Sequence, residues 1–289
     1  MATSPPATFF ERHDFLLRRL HSLSGLIPVG AFLVMHLVTN ASVLNGAGSF
    51  QENVNRIHSL GVALTTVEWV FIFLPLIFHA VVGVVIINSG RPNTSSYAYV
   101  GNVRYTLQRV TAWIALFFIL GHVFHMHGWF KSLRPMVEQL GGARFDPLFA
   151  TSTAAAALQA SVLLQIAYVV GILATVFHLA NGLWTMGITW GVWTTPAAQQ
   201  RANYACGGFG LLLAAVGLGA LWGMLRVDPA EALRVEEQIN AARVSSGQLD
   251  PRVLEEHGPH RDAGQGAVEA RLDSTGLLNV PGGAGGSIE

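Results

Sequence analysis

Charge is what this chain lacks most. Only 12% of its 289 residues are Asp, Glu, Lys or Arg, and Lys131 is the single lysine. Acidic and basic residues number 17 each, for a formal net charge of zero. That balance excludes nucleic-acid binding through a broad basic surface. Cysteine is as scarce: Cys206 stands alone, so no internal disulfide can form. No internal repeat is evident.

What fills the sequence instead is apolar, at 51% of all residues. Five stretches, near 23–44, 62–88, 108–129, 160–186 and 203–225, reach the roughly 20 residues needed to cross about 30 Å of hydrocarbon. The first is too long for a signal-peptide core and lacks a convincing cleavage site, so it is read as retained. The expected fold is all-α, a polytopic five-helix membrane bundle over residues 1–225, with a polar C-terminal extension over 226–289. The extension carries six Arg and eleven Asp or Glu. Residues 229–244 read as a surface helix starting after Asp228-Pro229, and the chain beyond 257 reads as flexible.

The short connections set the expected orientation. With the N-terminus inside, inner segments hold Arg12, Arg18, Arg19, Arg91, Arg104, Arg109 and Arg201, and outer ones hold Arg56, Lys131, Arg134 and Arg144. That bias favours a cytoplasmic N-terminus.

Four histidines, His36, His79, His122 and His178, lie in four different apolar runs. An ionisable group in hydrocarbon costs roughly 2.5 kcal/mol or more, which makes each a candidate functional residue. Neutral imidazole is also a common axial ligand of haem iron. Depth decides the pairing. His36 and His122 lie about 8 and about 7 residues from the outer ends of their runs, while His79 and His178 lie about 9 and about 8 from the inner ends. The levels then differ by roughly 10–15 Å. Two haems, one held by His36 and His122 and one by His79 and His178, would form an electron path across the bilayer. No Cys-x-x-Cys-His run occurs, so such haems are held non-covalently. Iron with two imidazoles has no open position, which suits electron transfer rather than oxygen activation.

Gly83 and Gly182 each follow a histidine by four residues and so share its helix face, where a flat macrocycle comes close to the backbone. Close helix packing explains glycine there equally well. His125 and His127 rival His122, which matches the depth of His36 better. His21 and His58 fall at the interfaces, as headgroup or pocket residues. His13, His257 and His260 read as solvated.

The segments RRLHSLSGLIPVGAFLVMHLVTN, VEWVFIFLPLIFHAVVGV, YTLQRVTAWIALFFILGHVF and GILATVFHLANGLWTMGITWG resemble the membrane anchor of succinate dehydrogenase, of the single-subunit, five-helix cytochrome b558 type found in bacteria. The resemblance spans roughly residues 12–225. It implies a distal haem b on His36 and His122 and a proximal haem b on His79 and His178. It also implies a bacterial cytoplasmic membrane, a cytoplasmic FAD-containing flavoprotein that oxidises succinate, and an iron–sulfur partner that feeds the inner haem. A quinone, with menaquinone the expected one, would be the acceptor. The extension beyond about residue 226 has no family role.

Glu68, near the outer end of the second run, is placed to exchange protons with a quinone, and the resemblance implies a comparable acid in this region of related quinone-reactive anchors; an interfacial carboxylate facing water is the alternative. Trp69 beside it reads as an interfacial belt residue. At the inner edge, Arg18, Arg19, Arg104 and Arg109 suit haem propionates or acidic groups of the soluble partner, Arg19 and Arg109 above all, although the orientation bias accounts for them too. Asn181 and Trp184 either seat the inner haem or serve packing. Three other functions stay open: a quinol:fumarate reductase anchor, the anchor of another dehydrogenase, and a haem-free transporter with proton-relaying histidines.

Overall fold

A computed structural model describes residues 9–90, 96, 99–127 and 133–256. Arg91, Lys131, and the segment from residue 257 read as flexible lie outside the described residues. Among the described residues there is no strand. Five helical segments are long and apolar enough to cross a membrane: Arg12–Asn45, Val62–Ser89, Val100–His127, Val162–Thr189 and Pro196–Arg226. The protein is therefore a polytopic all-α membrane protein. Three spans begin earlier than hydropathy suggests, at residues 12, 100 and 196 rather than 23, 108 and 203. A helix needs no apolar sequence once it leaves the hydrocarbon, so its ends run on through polar residues.

The third span packs on the fourth, the fourth on the fifth, and the fifth on the first, whose N-terminal part lies along the second. Leu37, Val176 and Leu213 form a small core where the first, fourth and fifth spans meet. Outward-facing side chains such as Phe71, Phe117, Leu163 and Leu211 are exposed, as lipid-facing residues should be.

Three of these spans contain a wide, π-type turn: Gly25–Gly30, Glu68–Phe73 and Val123–His127. Pro28 lies in the first and Pro75 follows the second. Proline offers no N–H to the carbonyl four residues back, and its ring crowds that turn, so the backbone widens there. The third has no proline. There the carbonyls of Phe124, His125 and Met126 accept from the backbone N–H groups of Ala143, Arg144 and Phe145. That exchange releases the end of the third span from a regular ladder.

One end of the bundle, formed by residues 46–61, 133–161 and 227–239, is built from short helices. Val43, Phe50, Val54, Ala150, Ala154, Leu158, Tyr168, Leu221 and Met224 form its core. The helix Ala150–Gln159 is its centre, capped by side chains from elsewhere. Gln51 Oε1 accepts from Ala150 N at 2.7 Å, and Glu236 Oε1 from Thr151 N at 2.5 Å. Glu236 also accepts from Ser152 N and Ser152 Oγ. Gln159 donates to the carbonyls of Met224 and Val227, which end the fifth span. Burial pushes the Glu236 carboxyl above its ordinary pKa, and the Ser152 and Thr151 donors pull the other way.

Glu236 belongs to a helix, Pro229–Ser245, inside which the first compact unit ends, at Ile239. The bundle unit thus extends beyond residue 225. The second unit starts at Asn240; its short helix Pro251–Glu256 opens with Asp250 accepting from Arg252 N. Glu236→Ala would strand the buried N–H groups of Thr151 and Ser152, at a cost of about 1–3 kcal/mol. Thermal unfolding of the purified protein in detergent should show a lowered midpoint, with Glu236→Gln intermediate between it and the parent.

Candidate functional site

Two pairs of imidazoles face each other between the spans. His79 on the second span and His178 on the fourth have ring centroids 6.1 Å apart, with planes at 85°. His36 on the first and His122 on the third lie 5.7 Å apart, with planes at 76°. A metal held between two imidazole nitrogens at about 2 Å from each places the ring centroids about 6 Å apart. Among the described residues no group of three or more His, Cys, Asp or Glu is placed to hold a metal ion by side chains alone. Facing pairs without further side-chain ligands fit haem iron, whose other four positions belong to the porphyrin.

The second nitrogens strengthen this fit. His79 Nδ1 donates to the carbonyl of His21 at 2.9 Å, and His178 Nδ1 donates to the carbonyl of Gln108 at 3.2 Å. A carbonyl only accepts, so both Nδ1 atoms carry the proton and both Nε2 atoms keep a free lone pair. That is the tautomer an Nε2 metal ligand requires. His122 Nδ1 lies 3.1 Å from the hydroxyl of Tyr168. Asn40 donates to the carbonyl of His36 at 2.7 Å, and Phe32 packs beside the His36 ring.

The neighbours meet the sequence expectation in part. His21 takes the pocket role of its two readings: it lies on the helical segment Arg12–Asn45 and stacks on His79 at 3.9 Å. The contact is reciprocal, since His21 Nδ1 also donates to the carbonyl of His79. Gly83 faces His21, and Gly182 faces the side-chain amide of Gln108. The glycine that admits His79 is Gly25 on the facing span, where a Cβ would overlap the imidazole. Tyr168, Gln108 and Gly25 are site residues that the sequence reading does not single out. Tyr168 carried a signal, since it lies near the start of the fourth span as His122 lies near the end of the third.

A hydrogen-bonded chain reaches the His178 site from the edge of the bundle. Arg104 lies over the Trp184 ring and donates to Asn181 Oδ1 and Asn203 Oδ1; Asn181 donates to Gln108 Oε1, and Gln108 donates to the His178 carbonyl. Arg18 is paired with Asp14 at 2.8 Å. Arg19 sits over the rings of Phe15 and Trp190, and Arg109 over Tyr105.

At the opposite level, Glu68 Oε2 lies 3.7 Å from His127 Nε2, and Phe73 packs edge-on against that imidazole. Both Glu68 and His127 stand on wide turns, and Trp69 packs on Phe73. His125 Nδ1 lies 3.0 Å from the Tyr168 hydroxyl. His58 donates to the Val54 carbonyl of its own helix, and His13 to that of Phe9.

No protein-family model matches the chain. It is 38% identical over 213 residues to the succinate dehydrogenase cytochrome b558 subunit of Bacillus subtilis, a match covering 73% of this chain and 98% of the relative. About a quarter of this chain therefore has no counterpart in that protein.

Gly25→Leu should drive His79 from its place while leaving His36 and His122 facing each other. Were each pair to hold one haem, the haem content per chain would then fall by half, as read from the pyridine haemochrome.

Proposed function

Because the chain belongs to the succinate dehydrogenase cytochrome b558 family, we propose that it anchors a flavoprotein and an iron–sulfur subunit to the membrane and passes their electrons to a quinone. The group implied by that family is haem b, which supplies one-electron transfer when bound. His79 and His178 would hold one haem and His36 and His122 the other. The observation that carries this reading is the facing of both pairs, with Nδ1 protons committed to oxygen acceptors on His79 and His178.

The chain's own residues do the remaining work. The Arg104–Asn181–Gln108 chain fixes the backbone around His178, and the reciprocal bonds between His21 and His79 fix the other side. Arg104, Arg19 and Arg109 give this end its cationic edge, which suits propionates or the acidic surface of an iron–sulfur partner. At the other end, Glu68 with His127 forms a proton-handling pair beside an aromatic wall of Phe73 and Trp69, suited to a quinone that takes up two electrons and two protons.

With the N-terminus inside, electrons run outward, and each is helped by about 2.3 kcal/mol per 100 mV of membrane potential, negative inside. Protons drawn from outside through Glu68 keep that help, which would let a low-potential acceptor such as menaquinone be reduced by succinate. An uncoupler should then slow succinate oxidation in intact cells while leaving the detergent-solubilised enzyme unaffected. Equal rates with and without uncoupler would contradict this direction of transfer.

The ligand assignment has its own test. His79→Ala and His178→Ala should each remove the same haem, and His36→Ala and His122→Ala the other, while His125→Ala keeps both. Loss of a haem in His125→Ala with retention in His122→Ala would move the ligand to His125.

A further inference from the structure

We propose that Tyr168 is a positioning residue for the His36–His122 site, holding His122 through its hydroxyl and linking that imidazole to His125. This rests on the assignment of His122 as an iron ligand. Tyr168 stands on the fourth span, is 7% exposed, and belongs to the core of the loop-built end of the bundle. Its ring is fixed edge-on by Phe118, at 5.3 Å and 88°. The hydroxyl oxygen is 3.1 Å from His122 Nδ1 and 3.0 Å from His125 Nδ1, and so lies between them.

The hydroxyl has one proton and two lone pairs. Were both imidazoles to donate to it, its own proton would need a third partner in a buried place, and a stranded donor costs about 1–3 kcal/mol. Accepting from one ring and donating to the other satisfies all three groups. With His122 Nε2 turned to the metal, His122 Nδ1 carries a proton and donates to Tyr168. The Tyr168 proton then goes to His125 Nδ1, which leaves the His125 proton on Nε2. This ordering makes His125 a poor Nε2 ligand and gives it a different role. It polarises the hydroxyl that in turn polarises His122.

A hydrogen bond accepted from the distal nitrogen makes a ligating imidazole more basic and orients its ring. Greater basicity favours ferric over ferrous iron, so the bond lowers the midpoint potential of the haem it serves. The same hydroxyl ties the third span to the fourth near their ends, which sets how far His122 stands from His36.

The experiment is a redox titration of the purified complex, following each haem by its optical band and low-spin resonance signal. In Tyr168→Phe the component that His36→Ala abolishes should shift to higher potential with a changed signal, while the component that His79→Ala abolishes stays fixed. His125→Ala should shift the same component in the same direction, by less, and should add nothing in the Tyr168→Phe background. Loss of only the His36 component from Tyr168→Phe also supports the assignment, since the bond then holds the ligand outright. Unchanged potentials and signals in Tyr168→Phe, or equal changes in both components, overturn it. A wild-type complex purified without haem would instead overturn the functional reading beneath it.

Discussion

A buried imidazole N–H without an acceptor is costly, and meeting that need ties much of this bundle together. His21 and His79 satisfy each other, ring to carbonyl in both directions, and so join the first span to the second. His178 donates from its ring to the Gln108 carbonyl, and the Gln108 amide donates to the His178 carbonyl, which joins the fourth span to the third. His122 and His125 share Tyr168. In each case the bond that removes a buried donor also ties two spans together. It also decides which ring nitrogen remains free. Helix association and the aim of the histidines are therefore one problem with one solution.

The backbone is shaped to allow these contacts. A wide turn at Gly25–Gly30 and the bare Cα of Gly25 let the His79 ring lie against the first span. Wide turns at Glu68–Phe73 and Val123–His127 bring Glu68 and His127 within 3.7 Å at the other level. Irregular helix turns concentrate at functional sites because they re-aim side chains that a regular repeat would hold elsewhere. The helix Pro229–Ser245 adds a stabilising element, since its Glu236 caps the helix Ala150–Gln159 from outside the five spans. The bundle's loop-built end is thus held by a segment that follows the last span.

Much of this was legible in the residues. Five apolar runs imply five spans, because nothing else satisfies that much backbone in lipid. The facing of His36 with His122, and of His79 with His178, follows from counting residues at a fixed rise per residue. The rest was hidden for physical reasons. His21 sits in a polar-looking stretch, so hydropathy leaves it outside the apolar run, although the helix that carries it begins at Phe9. Spacing along one helix singles out Gly83 and Gly182, but close approach is a property of two helices, and Gly25 on the partner span answers it. A tyrosine in an apolar run reads as core. Only the facing span shows that the Tyr168 hydroxyl stands between two imidazoles. Gln51 and Glu236 were equally silent, because their partners lie 99 and 85 residues away.

The most direct measurement is the haem-to-chain ratio of the purified wild-type protein, taken with its low-spin resonance spectrum. The proposed function predicts two b haems per chain, each low-spin with two axial imidazoles. A colourless protein, a single haem, or a high-spin iron with an open position would contradict that arrangement.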